Sequence, residues 1–234
     1  MALGPSPVVF GEDDLDVGEL AAVLGTKLLE RTRDLGCRLL SFRADCKELG
    51  ISWGFQRAGF VVADTNVQFR MHITDELLEP LRAPGQCCSA ALPEDREAVL
   101  AMARIFRSDH FHADQRVPRQ RADDLYAQWV DNSLTGRADE VLVVRDEGTA
   151  IGFITCRLFS ERGVIELVGA SPSSRGRGVG LALVAGAVSW FHRHGATVVD
   201  VGTQVSNVAA CRVYQRAGFA SVAYGNTFHG WADD

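Results

Sequence analysis

Residues 171–180 read Ser-Pro-Ser-Ser-Arg-Gly-Arg-Gly-Val-Gly and join two apolar runs of different period. Before them stands Val164-Ile-Glu-Leu-Val168; after them, Leu181, Val184, Val188 and Phe191 fall on one helical face. The pattern predicts strand, glycine-rich turn, helix. Such a turn aims several backbone N–H groups at one spot, where the helix dipole also favours negative charge. Arg175 and Arg177 add positive charge at the same mouth, so the expected guest is a phosphate or pyrophosphate. A Walker loop would end in Gly-Lys-Ser/Thr, which is absent, and the third glycine of G-x-G-x-x-G is missing. A strand–helix turn with no ligand is the alternative at this point.

Downstream, Ala196-Thr-Val-Val-Asp-Val201 reads as a buried strand. It is followed by Asn207-Val-Ala-Ala-Cys-Arg-Val-Tyr-Gln-Arg-Ala-Gly-Phe219. Arg175, Gly178 and Gly180 fit Arg/Gln-x-x-Gly-x-Gly/Ala, and Asn207, Ala210, Tyr214 and Gly218-Phe219 fit Asn-x-x-Ala-x-x-x-Tyr-x-x-x-Gly-Phe. On these residues the chain resembles the GCN5-related N-acetyltransferase superfamily over residues 87–228. The resemblance implies an α/β (α+β) fold around a central mixed sheet, with acetyl-coenzyme A as co-substrate.

Composition sets bounds. The 234 residues suffice for one large or two small domains, and the formal net charge of −6 disfavours nucleic-acid or polyanionic-membrane binding. No apolar stretch approaches membrane-spanning length, and no signal peptide is visible, so a cytoplasmic protein is expected. The cysteines match no zinc or redox spacing, so no metal is expected. Cys37, Cys46, Cys156 and Cys211 read as buried thiols.

Gln-Arg-Ala-Gly-Phe occurs twice, at 56–60 and 215–219, an offset of 159 residues (215 − 56). The same offset pairs Gly36 with Gly195, Phe69 with Phe228, and Leu39–Arg43 with Val198–Gly202. One register over helix, strand, helix and strand suggests a structural repeat. Phe55 replaces Tyr214, Glu48 replaces Asn207, and Asp16, Glu19 and Ala21 replace the loop residues. The expectation is a smaller, degenerate half-copy at 1–84 that binds no coenzyme, then a catalytic domain at 85–234, joined at Leu81–Gln86. The half-copy would pack against the second domain or wall its acceptor pocket. Within the second domain, Cys87–Leu92 predicts a strand and Pro93 starts a helix through Phe106. A hairpin turns at Asp146-Glu-Gly148, and Trp231–Asp234 looks frayed.

Acetyl transfer requires that the coenzyme be held, the amine deprotonated, the oxyanion stabilised and the leaving thiolate protonated. The resemblance assigns holding to Arg175, Gly176, Arg177, Gly178, Val179 and Gly180, with Asn207 and Ala210. It assigns the backbone of Val168, Gly169 and Ala170 to the thioester carbonyl. Tyr214 is the candidate general acid, since a phenol is protonated at neutral pH; a core tyrosine is the alternative. Glu166, an acid within an apolar strand, is the candidate base, with an outward-facing residue as the alternative.

The acceptor side is expected in Phe106–Asn132. Its Phe-x-x-Asp and Leu-Tyr-x-x-Trp-Val-x-Asn patterns resemble the dTDP-fucosamine acetyltransferase family. Candidates are His110, His112, Asp114, Tyr126 and Trp129, with Arg116, Arg119 and Arg121 for a diphosphate. Helical spacing makes core packing the alternative for Tyr126 and Trp129. The resemblance implies a small-molecule amine, a nucleotide-linked amino sugar above all. An acyltransferase of a natural-product pathway, or a non-catalytic coenzyme A-binding module, stays open, as does the oligomeric state, a homodimer included.

Overall fold

The computed structural model describes residues 17–77, 88–107 and 109–233. In chain order the elements are α1 (Val17–Asp34), β1 (Leu39–Asp45), α2 (Leu49–Arg57), β2 (Val61–His72) and β3 (Cys88–Ala90). Then come α3 (Arg96–Met102), α4 (His110–Ala113), α5 (Arg119–Asn132), β4 (Glu140–Asp146), β5 (Thr149–Phe159) and β6 (Arg162–Ala170). The last are α6 (Val179–Arg193), β7 (Val198–Gln204), α7 (Val208–Arg216) and β8 (Ala220–Trp231).

The described residues gather into two compact units. One runs from Ala63 to Gly225; the other comprises the described residues up to Val62 and those from Asn226. The linker expected at 81–86 lies outside the described residues.

In the Ala63–Gly225 unit the strand order is β2-β7-β6-β5-β4-β3. Every pairing whose register is defined is antiparallel except β6 with β7, which run parallel. One face is covered by α6 and α7. There Val67, Phe69, Met71, Ile154, Ile165 and Val201 pack with Leu183, Val188 and Phe191, burying β-branched and aromatic side chains at alternate strand positions. On the opposite face, Val143 and Phe153 meet Val99 of α3 and Val130 of α5. Farther along that face, Asp200 of β7 accepts hydrogen bonds from Arg70 of β2 at 2.6 and 2.8 Å and from Arg162 of β6 at 2.7 Å.

In the other unit, β8 neighbours β1. Phe42, Phe55, Phe60 and Phe228 form its aromatic core, with ring centroids 4.3–5.4 Å apart. Gly54 lets α1 and α2 approach, because a Cβ there would lie 2.2 Å from the Gly18 carbonyl.

The offset of 159 residues carries β1 onto β7, α2 onto α7 and β2 onto β8, end for end. The turns follow: Gly36 and Gly195 take φ of 70° and 86°, and Gly59 and Gly218 take 93° and 94°. The Phe60 N–H donates to the Phe55 carbonyl as Phe219 donates to Tyr214, both at 3.0 Å. β2 lies antiparallel to β7, and β8 lies beside β1.

Several local expectations are corrected. The helix predicted through Phe106 is interrupted: α3 passes at Ala103–Ile105 into a tighter turn, and Phe106 is extended. The carboxyl end is packed, not frayed. Trp231 and Ala232 are buried, and the Ala232 N–H donates to the Arg38 carbonyl at 2.9 Å. Of the four thiols expected inside, only Cys156 is fully buried; Cys37 is exposed, and Cys46 and Cys211 are intermediate. Cys37 falls just beyond the Gly36 turn that ends α1, where the chain runs along the surface.

Candidate functional site

The site begins as an opening in the sheet. β6 and β7 pair only over Arg162–Ile165 and Val198–Val201, yet β6 continues to Ala170 and β7 to Gln204. A bulge in β6 accompanies the parting. Ile154 faces Val168 and Cys156 faces Ile165, so residues 166 and 167 together oppose Thr155. The Leu167 N–H donates to Thr155 Oγ1 at 2.9 Å instead of to the ladder. An extra residue bends the strand that carries it. Val168, Gly169 and Ala170 therefore line the opened side while still paired to β5 through Ile154, Phe153 and Gly152. At Gly169 a Cβ would stand 2.5 Å from the Phe153 ring, so the strand stays thin there.

Beyond β6 the chain makes a tight turn at Pro172–Ser174 and enters the glycine stretch. Gly176 and Gly178 have φ of 76° and 79°, in the left-handed region that L side chains rarely adopt. A Cβ at either would meet nothing within 4 Å, so conformation and open space, not crowding, call for glycine there. The Ala182 N–H makes the bond to the Gly178 carbonyl. The N–H groups of Val179, Gly180 and Leu181 therefore precede any intrahelical acceptor and point out of the helix start. Arg175 is exposed and has no ion pair among the described residues. Arg177 is held at 2.9 Å by Asp146, whose carboxyl it keeps below the usual range by that hydrogen bond. The mouth thus offers bare amides, an exposed guanidinium, glycines in left-handed conformation and an open strand pair.

α7 lies beside the mouth, since a Cβ at Gly180 would touch Val213 at 3.5 Å. Asn207 caps this helix. Its Oδ1 accepts from the Ala210 N–H at 3.2 Å and its Nδ2 donates to Thr203 Oγ1 at 3.2 Å, so both ends of the amide are engaged within the fold. Tyr214 is 4 % exposed, with its ring 5.6 Å from Phe69 and 6.1 Å from Phe219. Burial, helped by Cys211, pushes its phenol well above the ordinary range, so it stays protonated.

Glu166 projects from the bulge toward α5. Arg137 donates to its Oε1 at 3.2 Å. The two join Trp129, Ser133 and Leu167 around a hollow of about 220 Å³. Arg137 escaped sequence analysis, because no motif marks it; the one signal was Gly136, whose φ of 109° turns the chain after α5 and presents Arg137.

The structure brings Trp129 to this hollow and places the other acceptor candidates elsewhere. His112 is held between two carboxylates, with Nδ1 2.5 Å from Asp109 and Nε2 3.1 Å from Asp123. Asp109 also caps α4, accepting from the N–H groups of Phe111 and His112. Tyr126 is buried and stacked on Phe106 at 5.0 Å, with Trp129 edge-on at 5.1 Å. Asp114 accepts from the Arg116 N–H in a turn, and His110 packs on Phe111 at 4.0 Å. Arg119 and Arg121 lie exposed at the start of α5. Among the described residues no cluster of three His, Cys, Asp or Glu is placed to hold a metal, and no helix is long and apolar enough to cross a membrane.

The chain is 31 % identical over 166 residues to a dTDP-fucosamine acetyltransferase of Escherichia coli, covering 70 % of this chain and 68 % of that protein. It is 28 % identical over 140 residues to the spore coat polysaccharide biosynthesis protein SpsD of Bacillus subtilis, covering 59 % of this chain. It spans only 48 % of SpsD, about half. A GCN5-related N-acetyltransferase structure from Sphaerobacter thermophilus superposes with a TM-score of 0.62 at 16 % identity, over 89 % of this chain and 68 % of that one. Residues 99–219 match the acetyltransferase (GNAT) family model, and with the parted strands and the glycine-built helix start in place, the chain belongs to that family.

Proposed function

We propose that this protein transfers an acetyl group from acetyl-coenzyme A to the primary amine of a small, hydroxylated acceptor, a nucleotide-linked amino sugar being the first candidate. One observation carries the reading: β6 and β7 part beside a helix start whose glycines leave its amides bare. The names of the sugar-related relatives support the acceptor class.

Residues 175–180 hold the diphosphate, Arg175 by charge and the rest by main-chain N–H groups, while Val168, Gly169 and Ala170 flank the arm. Asn207 and Ala210 act by setting the start of α7. Bound acetyl-coenzyme A supplies the activated acyl group. Glu166 receives the proton of the incoming amine, directly or through water, with Arg137 holding its carboxylate in place. Main-chain N–H groups at the opened side of β6 steady the developing oxyanion. Tyr214 keeps its proton available for the leaving thiolate. Trp129 gives the hollow an apolar wall on which a sugar face can lie.

The segment before residue 85 is the degenerate half-repeat in this reading. Supporting it are the register of its elements and the replacement of Tyr214 by Phe55 and of Asn207 by Glu48, which makes no capping bond. It binds no coenzyme.

The test is thiol release from acetyl-coenzyme A with dTDP-fucosamine, glucosamine and simple alkylamines as acceptors. Turnover with the hydroxylated amines is expected. Tight coenzyme binding with no turnover of any amine would reject the transferase reading.

A further inference from the structure

Five buried side-chain polar atoms have no hydrogen-bond partner among the described residues, and three of them sit on one face of one strand. They are both carboxylate oxygens of Asp64 and the amide oxygen of Asn66, two positions apart on β2. Asn66 is 3 % exposed. Burying a polar atom without a partner costs stability, and a charged one more. A strand that carries three such atoms in a row is shaped for donors that arrive from outside.

Register places this row on the acceptor side of the site. Val67, Phe69 and Met71 face the helices α6 and α7, so Asp64, Asn66, Gln68 and Arg70 share the opposite face. Arg70 confirms it by reaching Asp200, which Arg162 of β6 reaches on the same side. Glu166 leaves β6 toward α5, which covers that same face of the sheet. β7 lies between, and beside Gln68 it carries a glycine. Ile165 pairs with Val201, the last pair before the strands part; Glu166 and Gly202 follow on β6 and β7, and Gly202 pairs with Gln68. A Cβ at Gly202 would lie 2.7 Å from Gln68 Nε2, so the glycine lets Gln68 drape across β7 toward β6. Where the strands are paired, two strand spacings, about 10 Å, separate the β6 and β2 rows, and the gap widens where β6 leaves β7 at Glu166, so an acceptor reaching both must be extended.

Resting on the acetyl-transfer reading above, we propose that the β2 face bearing Asp64, Asn66 and Gln68 is the acceptor-recognition wall. Asp64 and Asn66 accept hydrogen bonds from hydroxyl or N–H donors of a polyhydroxylated amine, remote from the nitrogen that reacts beside Glu166. Gln68, lying over Gly202, offers its amide between that row and Glu166. Specificity for the acceptor then comes from the strand that the amino-terminal segment contributes beside β7, not from the family's coenzyme loop.

The test separates binding from turnover. Calorimetry on the coenzyme A-saturated protein measures dTDP-fucosamine and glucosamine with wild type, Asp64→Asn and Asn66→Leu. Either substitution should weaken the nucleotide sugar about tenfold or more, with acetyl-coenzyme A affinity unchanged within twofold. Removing an orphaned charge should not unfold the chain, and equal or higher melting temperature in Asp64→Asn shows that the effect is local. Gln68→Leu serves as the second variant should Asn66→Leu melt early. Affinity for both probes unchanged in folded variants overturns the wall and leaves the transfer reading standing. Binding by wild type, lost in the variants, without any turnover, supports the wall and overturns only the transfer step. No binding of either probe by wild type overturns the wall for hydroxylated amines.

Discussion

Tyr214 and Gly178 show how one atom or one torsion carries a role. Tyr214→Phe removes only a hydroxyl from a ring already packed on Phe69 and Phe219, so the fold keeps its contacts. Turnover is expected to fall about 10²-fold, the usual scale of a general acid, with calorimetric coenzyme affinity unchanged. Equal turnover would remove Tyr214 from the mechanism. Gly178→Val forces a β-branched residue to a φ of 79°, costing about 1–2 kcal/mol, or reorients the amides of the mouth. Coenzyme affinity should drop at least tenfold by titration while the apo protein still folds. The motif disclosed both residues. It did not disclose Arg137, Asp64 or Asn66, whose roles depend on neighbours distant in the chain.

At the scale of elements, hydrogen bonds as well as ring contacts tie α4 to α5. His112 joins Asp109, the cap of α4, to Asp123 of α5. His112→Leu leaves two carboxylates without that partner and should destabilise the protein by about 1–3 kcal/mol in urea unfolding. The acceptor KM should rise through Trp129, which packs edge-on to Tyr126 and Phe111 above that clamp. An unchanged unfolding midpoint would show the clamp to be dispensable. Composition alone suggested a substrate-facing cluster of imidazole and carboxylate in this region. The fold turns the cluster inward because Asp109 and Asp123 are brought to opposite sides of one ring.

For the whole molecule, Asp200 links three strands. Arg70, through its hydrogen bond first, and then Arg162 hold the Asp200 carboxyl below its ordinary value. A carboxyl lowered on folding contributes stability that is present above its unfolded value, about 3.9, and lost as pH falls through the lower folded one. Wild type should therefore lose stability below about pH 4 more steeply than Asp200→Asn, which starts weaker at neutral pH and converges with it in acid. Urea unfolding from pH 6 to pH 3 checks this; parallel curves would reject it. The pairing of β2 with β7 makes a second prediction. A chain starting at Asp75 lacks β2 and leaves β7 as an unprotected edge, so it should aggregate, whereas coexpression with residues 1–74 should restore solubility.

Much of this protein was legible in its residues. The strand–glycine–helix unit and the hairpin at Asp146–Gly148 each follow from local rules of period, turn chemistry and glycine conformation. These are short-range effects, and a string of residues carries them whole. The tertiary structure decided which strand sits beside which. No local pattern says which strand lies beside β7, because the partner of a strand edge is distant in the chain; β2 takes that place. That pairing brings Asp64, Asn66 and Gln68 to the sheet face that also carries Glu166, a juxtaposition no spacing within the chain can encode.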